Sequence, residues 1–242
     1  PIGSKPLIYY SLSIPMLANI REILIICNFE DKKKFINLLG FGSNLGIKIK
    51  YKIQKNAAGG ILEGLKIGKK FIGKEDVLLV LGDNFIWGQG LKKLLDKVNS
   101  NNNSTIFSYH VKNPKGLGVL KKSKGHIKII EKPKSIISKE AIIGIYFYKN
   151  KDLKFINKIK RSKRGELEIT SYNNLLLRKK NINIINLGRG FTWIDCGTYE
   201  NFNNANQFVS IIEGRQENLV GSIDEIAYQN NWINRKRFLN NI

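Results

Sequence analysis

The sequence is poor in several features that would identify other classes of protein. It has no run of about 18 apolar residues, so we expect no transmembrane helix, and its first residues show no signal peptide. Its two cysteines, Cys27 and Cys196, are too few for a disulfide framework and favour a reducing cytoplasm. Its two histidines, His110 and His126, stand apart from any Cys or carboxylate at zinc-ligand spacing. A disulfide-rich secreted domain, a membrane-spanning protein and a zinc protein are therefore all disfavoured.

Acidic residues are also scarce: 19 Asp and Glu stand against 41 Lys and Arg, which gives a net charge of +22. A positive surface of this size attracts polyanions without selectivity. However, most of the basic residues are Lys, scattered among abundant Ile and Asn, whereas Arg is the better bidentate reader of phosphate. The sequence has no recognition helix and no interleaving of aromatic and basic residues of the RNA-binding kind. We therefore attribute the charge mainly to composition and expect no specific nucleic-acid partner.

The order of apolar patterns predicts an α/β fold. In the first half, strand patterns at 22–27, 47–53, 77–81 and 105–111 alternate with helix patterns at 31–39, 60–72 and 91–98. This order favours a three-layer sandwich with a mixed, mostly parallel, Rossmann-like sheet. In the second half, strands are predicted at 118–121, 127–131, 141–148, 182–187 and 193–195, and helices at 151–160, 167–180, 198–213 and 222–228. No linker or repeat divides the chain, so we expect one domain over residues 1–242 with additional C-terminal helices.

Two carboxylates stand at the ends of predicted strands. Asp83 follows the apolar run 77–80 within Leu81-Gly82-Asp83-Asn84, and Asp195 ends a short strand just before Gly197. Open α/β sheets bind their ligands at the carboxyl ends of strands. A Mg²⁺ ion for phosphate chemistry takes one or two protein carboxylates and leaves its other positions to water and substrate phosphates. Asp83 and Asp195 are therefore candidate Mg²⁺ ligands, although Gly-Asp-Asn is also ordinary turn chemistry.

Further positions combine a polar side chain with a strand end, a helix start or a turn. Glu131-Lys132-Pro133 ends a strand, where Glu could accept hydroxyl hydrogen bonds and Lys could hold a phosphate, or both could form a solvated turn. Arg164 begins the acidic start of a helix, which helix capping would also explain. Gln54 precedes the small-residue loop 57–60 and could pair with a base edge, and Arg189 lies between two glycines. No intact Walker A motif or Rossmann glycine fingerprint is present.

Seven stretches together resemble the glucose-1-phosphate thymidylyltransferases, a family of sugar nucleotidyltransferases. They are Lys5-Pro6-Leu7-Ile8-Tyr9-Tyr10, Leu81-Gly82-Asp83-Asn84, Tyr109-His110-Val111, Glu131-Lys132-Pro133, Gly144-Ile145-Tyr146-Phe147-Tyr148, Arg164-Gly165-Glu166-Leu167-Glu168-Ile169-Thr170 and the run from Gly188 to Thr198. The resemblance implies a nucleotide-binding half at about 1–115, a sugar-binding half at 116–198 and a helical part at 199–242. It also implies Mg²⁺-dependent transfer of a thymidylyl group from dTTP to glucose 1-phosphate. The products would be pyrophosphate and dTDP-glucose, the latter for dTDP-rhamnose and cell-surface polysaccharide synthesis in the cytoplasm.

The same resemblance implies a role for each candidate residue. Asp83 and Asp195 would be the catalytic residues and would hold Mg²⁺. Gln54 and Gly60 would contact the thymine, and Asp83 would also belong to the nucleotide-binding residues. The sugar phosphate would be held by Gly118, Glu131, Lys132, Gly144, Tyr146, Arg164 and Trp193, with Arg189 as a further phosphate contact. The family is also expected to assemble as a homotetramer.

The chain departs from the family pattern at several positions. The family's Gly-rich nucleotide loop ending in Gly-Thr-Arg, and a Lys shortly after it, would precede the segment that matches Pro1, so we expect an incomplete copy with little activity. The family's Gly-Leu-Ala-Gln-Ala is replaced here by residues 60–64, in which Glu63 places a carboxylate near the expected triphosphate. Leu117 stands in place of a Tyr, and Cys196 in place of a Thr. Two alternatives stay open: an inactive homologue that binds sugar nucleotides or assembles with other subunits, and a nucleotidyltransferase for another base.

Overall fold

The computed structural model describes residues 1–56, 59–123, 125–216 and 219–241. Its helices are α1 (Leu7–Leu17), α2 (Phe29–Leu39), α3 (Ile61–Ile72), α4 (Leu91–Asn99), α5 (Asn150–Leu153), α6 (Ile169–Arg178), α7 (Tyr199–Gln216), α8 (Ile223–Gln229) and α9 (Arg235–Asn241). Its strands are β1 (Glu22–Cys27), β2 (Lys48–Ile53), β3 (Val77–Val80), β4 (Asn84–Gly88), β5 (Ser104–His110), β6 (Val119–Ser123), β7 (His126–Ile130), β8 (Glu140–Tyr148), β9 (Ile182–Asn186) and β10 (Phe191–Asp195). Short 3₁₀ turns lie at Ser43–Leu45 and Lys154–Lys158.

A six-stranded mixed sheet forms the centre of the fold. Its strand order is β7-β6-β8-β5-β9, and β3 also pairs with β8. β5 and β9 are parallel, whereas β3 and β8, β5 and β8, β6 and β7, and β6 and β8 are antiparallel. β1 and β2 form a separate parallel pair, and β4 and β10 form an antiparallel pair.

The α/β class and the mixed sheet are confirmed, but the sheet is less parallel than the sequence suggested. Parallel neighbours need a crossover connection of a dozen or more residues, usually a helix. β6 and β7 follow one another through a short connection and pair antiparallel, and β6 also pairs antiparallel with β8. The nine-residue β8 is buried from Ala141 to Tyr148 and is the strand against which β3, β5 and β6 pair.

Helices cover both faces of β8, which gives the expected three layers. Side chains along a strand point alternately to opposite faces. On one face, Tyr146 packs in a cluster with Leu62 of α3 and Tyr172 of α6. On the other face, Ile145 packs in a cluster with residues of α1 and α4, among them Leu91. β3 pairs with β8 in this sheet and ends at Val80, three residues before Asp83.

Three elements were not predicted from the sequence: α1, β4 and α9. α1 is apolar on almost every side and buried from Tyr10 to Met16, so it lacks the alternation that identifies a surface helix, and Pro15 argues against a helix. β4 begins directly after Asp83, where the sequence predicts a turn, and its strand conformation depends on pairing with β10, far along the chain. None of the helices within the described ranges is long and apolar enough to cross a membrane.

Candidate active site

The turn after β3 presents the carboxylate of Asp83. Before the turn, Leu81 donates its backbone N–H to the carbonyl of Gly144 on β8 at 2.9 Å. After the turn, the carbonyl of Asp83 accepts the N–H of Cys196 at 2.8 Å, which ties the turn to the end of β10. Because neighbouring strands hold the turn on both sides, the position of Asp83 is set by the sheet.

Asp195 is the last residue of β10 and pairs in register with Asn84 on β4. The N–H of Gly197 donates to Asp195 Oδ1 at 3.1 Å, and the amide of Asn201 donates to the Asp195 carbonyl at 2.7 Å. A Cβ atom placed on Gly197 would lie 3.1 Å from Asp195 Oδ1 and 3.9 Å from Asp83 Oδ2. The structure therefore brings the two predicted carboxylates to the same small volume.

The surroundings of the two carboxylates raise the pKa of Asp195. Burial is the larger cause and the charge of Asp83 is the second, while the Gly197 N–H and the charge of Lys132 lower the pKa. Burial, with the charges of Asp195 and Asp83, also raises the pKa of the Cys196 thiol to about 12, so the thiol is protonated at neutral pH. Two like charges held this close favour the binding of a cation.

The chemistry of the donor set fits a hard cation with few protein ligands. Within the described ranges, no cluster of three or more His, Cys, Asp or Glu residues occurs that could enclose a metal by itself. A site made of two carboxylates, with the remaining positions left to water and phosphate oxygens, is what Mg²⁺ uses. The carboxylates of Asp83 and Asp195 could hold a cation in this way.

Asn84, to which the sequence reasoning assigned no role, joins three parts of the site. Its side-chain amide donates to Asp83 Oδ1 at 2.9 Å. Its Oδ1 accepts the N–H of Gly144 at 2.9 Å and the indole N–H of Trp193 at 2.6 Å. Asn84 is 3% exposed, and a Cβ on Gly144 would lie within 2.8 Å of its side chain. Asn84 belongs to the motif Gly-Asp-Asn, which is visible in the sequence. Its hydrogen-bond partners Gly144 and Trp193 become apparent only once distant strands pair.

Glu131 lies at the end of β7 and is held by the helix α6. Its Oε2 accepts a short hydrogen bond from the hydroxyl of Thr170. A Cβ on Gly118 would lie 3.3 Å from Glu131 Oε2 and 3.4 Å from Thr170 Oγ1, so a larger residue there would crowd both groups. Thr170 belongs to a quoted motif but had no assigned role, and it holds one oxygen of Glu131 in place.

Tyr146 is buried on β8 beside the carboxylates. Its ring is stacked with Tyr148, with 6.0 Å between centroids and an interplanar angle of 8°. Burial raises the pKa of the Tyr146 phenol, and the charges of Glu131 and Asp83 raise it further. The phenol is therefore protonated at neutral pH and available as a hydrogen-bond donor.

Two basic residues reach the site from different loops. Lys132 has a φ of 42°, which is rare for a residue with a side chain, and its N–H donates to the carbonyl of Leu117 at 3.1 Å. Arg164 donates to Glu166 at 2.7 Å and forms an ion pair with Glu168 at 3.2 Å. Both loops are thus held by hydrogen bonds near their charged side chains.

One cleft contains most of the predicted site residues. The predicted residues that line it are Asp83, Gly118, Glu131, Lys132, Gly144, Tyr146, Arg164, Trp193 and Asp195. Residues without a predicted role line it as well, including Asn84, Leu117, Glu166, Glu168 and Thr170. Positions that are more than a hundred residues apart in the chain therefore meet in one concave surface.

The remaining predicted residues lie outside the lining of this cleft. Among the described residues that line it, Gln54, Gly60 and Arg189 do not appear, although Ile61 does. Gln54 donates its amide to the carbonyl of Asn56 at 3.1 Å. Arg189 is exposed in the turn between β9 and β10.

Gly60 is required by the local geometry. Its φ is 84°, and a Cβ there would lie 2.6 Å from the carbonyl of Leu167, so only glycine fits. Ala57 and Ala58 of the predicted small-residue loop are outside the described residues.

Comparisons with known proteins identify a matching family model and similar relatives. The family model described as "Nucleotidyl transferase" matches residues 1–211. The glucose-1-phosphate thymidylyltransferase of Neisseria meningitidis is 40% identical over 240 residues, which is 98% of this chain and 83% of that protein. The enzyme of the same name from Mycolicibacterium smegmatis is 38% identical over 235 residues, covering 96% of this chain and 81% of the relative.

Solved structures give the same fold. A Bacillus anthracis protein provisionally assigned as a glucose-1-phosphate thymidylyltransferase, in complex with sucrose, superposes with a TM-score of 0.76 at 31% identity and covers 86% of this chain and 84% of its own. A UDP-glucose pyrophosphorylase in complex with UDP-glucose superposes with a TM-score of 0.72, covering 89% of both chains. At 22% identity, the second likeness concerns the fold alone.

Proposed function

This chain belongs to the nucleotidyl transferase family, and from that premise we propose that it transfers a thymidylyl group from dTTP to glucose 1-phosphate, releasing pyrophosphate and dTDP-glucose. The observation that carries the proposal is the meeting of Asp83 and Asp195 in one cleft with Glu131 and Lys132. The names of the Neisseria and Mycolicibacterium relatives support the choice of thymidylyl donor and sugar phosphate.

Asp83 and Asp195 would hold a Mg²⁺ ion. Their oxygens approach a common volume beside Gly197, and their mutual repulsion contributes to the raised pKa of Asp195, so a divalent cation would relieve that repulsion. When bound, the ion would act as a Lewis acid and neutralise charge on the phosphate groups. The amide of Asn84 would keep one oxygen of Asp83 occupied and leave the other for the ion.

The two substrates would bind on either side of this carboxylate pair. Gln54 and Gly60 would contact the thymine, because the flat base can lie against backbone that has no side chain and Gln can pair with its edge. Glu131 would accept hydrogen bonds from glucose hydroxyls through the oxygen that Thr170 does not occupy. Lys132 would contact the sugar phosphate.

The remaining cleft residues would shape the sugar site. The protonated phenol of Tyr146 would donate to a sugar hydroxyl, and Trp193 would form an apolar wall. Gly118 and Gly144 would leave room for the sugar, since a side chain at either position would meet Glu131 or Asn84. Arg164 and the exposed Arg189 would contact phosphates.

The chemistry asks mainly for positioning and charge compensation. An oxygen of glucose 1-phosphate attacks the α-phosphorus of dTTP, and the bond from that phosphorus to the bridging oxygen breaks, so pyrophosphate leaves with the electron pair. The attacking phosphate oxygen is already ionised at neutral pH, so the site needs no general base. Lys132 and Arg164 would compensate the negative charge that accumulates between the substrates.

The proposal also covers the division of the chain, its compartment, its pathway and its oligomeric state. The chain would divide into a nucleotide-binding half at about 1–115, a sugar-binding half at 116–198 and a helical part at 199–242. Cys27 and Cys196 are both free thiols, which supports a reducing cytoplasm. The dTDP-glucose would supply dTDP-rhamnose and polysaccharide synthesis, and the enzyme would act as a homotetramer, which light scattering can measure.

The test is a pyrophosphate-release assay on the purified full-length gene product with glucose 1-phosphate and Mg²⁺. We expect turnover with dTTP to exceed turnover with UTP, and to stop when the metal is chelated. Turnover with UTP, ATP or GTP but not dTTP would replace the proposed donor by another nucleotide. Binding of dTDP-glucose without any turnover would instead favour the inactive sugar-nucleotide-binding homologue.

A further inference from the structure

Two loops meet at the start of α3, on the side of the cleft where the base is proposed to bind. We call residues 54–56 and 59–60 the base loop and residues 161–168 the arginine loop. The N–H of Leu167 donates to the carbonyl of Gly59 at 2.9 Å, and the N–H of Leu62 donates to the carbonyl of Leu167 at 3.4 Å. Gly60 lies so close to Leu167 that no side chain fits between them. The backbone of the two loops is therefore in direct contact.

An ion pair also joins the arginine loop to Glu63, which lies in the first turn of α3 just after the base loop. Arg161 Nη2 donates to Glu63 Oε2 at 3.1 Å, across 98 residues of sequence. The other guanidinium nitrogen, Nη1, donates to the carbonyl of Gly165 at 2.7 Å and so ties Arg161 to its own loop. The Glu63 carboxylate lies against Gly59 of the base loop. A Cβ on Gly59 would overlap this carboxylate and would lie 3.1 Å from the amide nitrogen of Gln54.

The fold gives the carboxylate of Glu63 a partner that the sequence does not reveal. A carboxylate near a triphosphate repels it, and the sequence alone predicts such a repulsion. In the fold, Arg161 compensates that carboxylate, and the pair is only partly exposed, with 46% of the Arg161 side chain and 22% of the Glu63 side chain accessible. The charge is therefore part of a contact between loops.

The arginine loop carries residues of the sugar-phosphate side of the cleft. Arg164 and Glu166 line the cleft and pair with each other at 2.7 Å. Ser162 donates its hydroxyl to Glu168 at 2.9 Å, and its N–H donates to the carbonyl of Glu166 at 2.9 Å. This internal bonding makes the loop a compact unit, so a displacement of Arg161 moves Arg164 with it.

We propose that Glu63 and Arg161 form a positioning pair that couples the base loop to the arginine loop, so that a bound nucleotide strengthens the binding of glucose 1-phosphate. This inference rests on the proposed function for the identity of the two ligands. A nucleotide bound to the base loop restricts the motion of Gly59 and Glu63. Because Glu63 pairs with Arg161, the nucleotide also restricts the motion of the arginine loop, which carries Arg164. Coupling of this kind is reciprocal, so glucose 1-phosphate strengthens nucleotide binding by the same factor.

The size of the effect follows from the exposure of the pair. Partly exposed ion pairs change an equilibrium by about two- to fivefold. That range is measurable by calorimetry, and it is small enough that the fold should survive removal of either charge.

The experiment measures the affinity of glucose 1-phosphate without and with a saturating non-hydrolysable dTTP analogue. In the wild type, the nucleotide should tighten glucose 1-phosphate binding. Glu63→Gln and Arg161→Gln should each reduce that tightening by about two- to fivefold, and the double variant should lose no more than either single variant. The matched control is Glu22→Gln, which removes an exposed ion pair with Lys48 on β2 and should keep the full coupling.

A second measurement needs no variant. The nucleotide analogue alone should slow amide hydrogen exchange in residues 162–168 of the wild type, an effect that an ion pair serving only stability would not produce. Intact coupling in Glu63→Gln, or unchanged exchange in that loop, overturns the positioning pair and leaves the proposed function standing. A wild type that binds neither dTTP nor glucose 1-phosphate overturns the proposed function, and the inference with it.

Discussion

At the scale of single residues, the buried amide of Asn84 connects the two sides of the cleft. It orients one oxygen of Asp83 and accepts the N–H groups of Gly144 and Trp193. A side chain with three such bonds restricts the geometry of every group that it touches, because each partner would be left unsatisfied by its removal.

Asn84→Ala should therefore be costly for the fold as well as the site. It leaves two buried N–H donors without their acceptor, and each unsatisfied donor costs about 1–3 kcal/mol. We expect urea denaturation to show a loss of about 2–5 kcal/mol and Mg²⁺ affinity to fall. The control is Asn203→Ala on the exposed side of α7, and equal stability of the two variants would contradict the role given to Asn84.

Asp195→Asn should separate catalysis from stability. Turnover should fall on the order of 100-fold or more, since the lost charge acts where charge develops. Burial, and then the charge of Asp83, raise the pKa of Asp195 in the folded state above that of an aspartate in the unfolded chain. At neutral pH the ionised Asp195 therefore lowers the free energy of unfolding. This loss disappears once the pH is low enough to protonate Asp195 in both the folded and the unfolded state.

It follows that metal-free Asp195→Asn should melt higher than the wild type at neutral pH. The difference should shrink as the pH is lowered towards 4, and added Mg²⁺ should stabilise the wild type more than the variant. Thermal melts over this pH range test the sign, with Asp96→Asn in the exposed pair with Lys92 as control. A variant that melts lower than the wild type at pH 7 without metal would contradict it.

At the scale of elements, α1 supports the turn that carries Asp83. The hydroxyl of Ser11, 5% exposed, lies 3.0 Å from the Gly82 carbonyl and 3.3 Å from the Asn84 carbonyl. A helix that the sequence did not predict thus bonds to the backbone on both sides of a candidate metal ligand.

Ser11→Ala should loosen that turn. Loss of the hydroxyl should lower the free energy of unfolding by about 0.5–1.5 kcal/mol and weaken Mg²⁺ binding, measured by denaturation and calorimetry. Ser13→Ala is the matched control, because its buried hydroxyl bonds only one turn back, to Tyr10 at 2.7 Å. If both variants bind Mg²⁺ equally well, α1 does not position Asp83.

At the scale of the whole molecule, the net charge of +22 acts over distances longer than any contact. It should bring polyphosphate substrates and nucleic acids to the surface alike. We expect the protein to be retained on DNA columns of two unrelated sequences equally, and to elute as salt approaches about 1 M, where the Debye length falls to about 3 Å. Retention that depends on the DNA sequence would contradict an origin in composition and favour a specific nucleic-acid partner.

The sequence alone was sufficient wherever the signal is local. The strand β1 has the predicted bounds, and β3, β8 and α3 lie within a residue or so of theirs, because apolar periodicity is read over a few neighbouring residues. The same holds for Asp83 and Asp195, since a carboxylate at a strand end is visible in the chain. The missed helix α1 is buried on nearly all sides, so it has no periodicity to read.

The composition, the α/β class and the positions of the two carboxylates were thus determined by the sequence by itself. Only the tertiary structure decided that β8 pairs antiparallel with β3, β5 and β6, that Asn84 joins Asp83 to Trp193, and that Arg161 compensates Glu63. These contacts join residues that are distant along the chain, and their energies depend on which strands and loops become neighbours. No local pattern encodes that choice, because it is made by packing the whole chain at once.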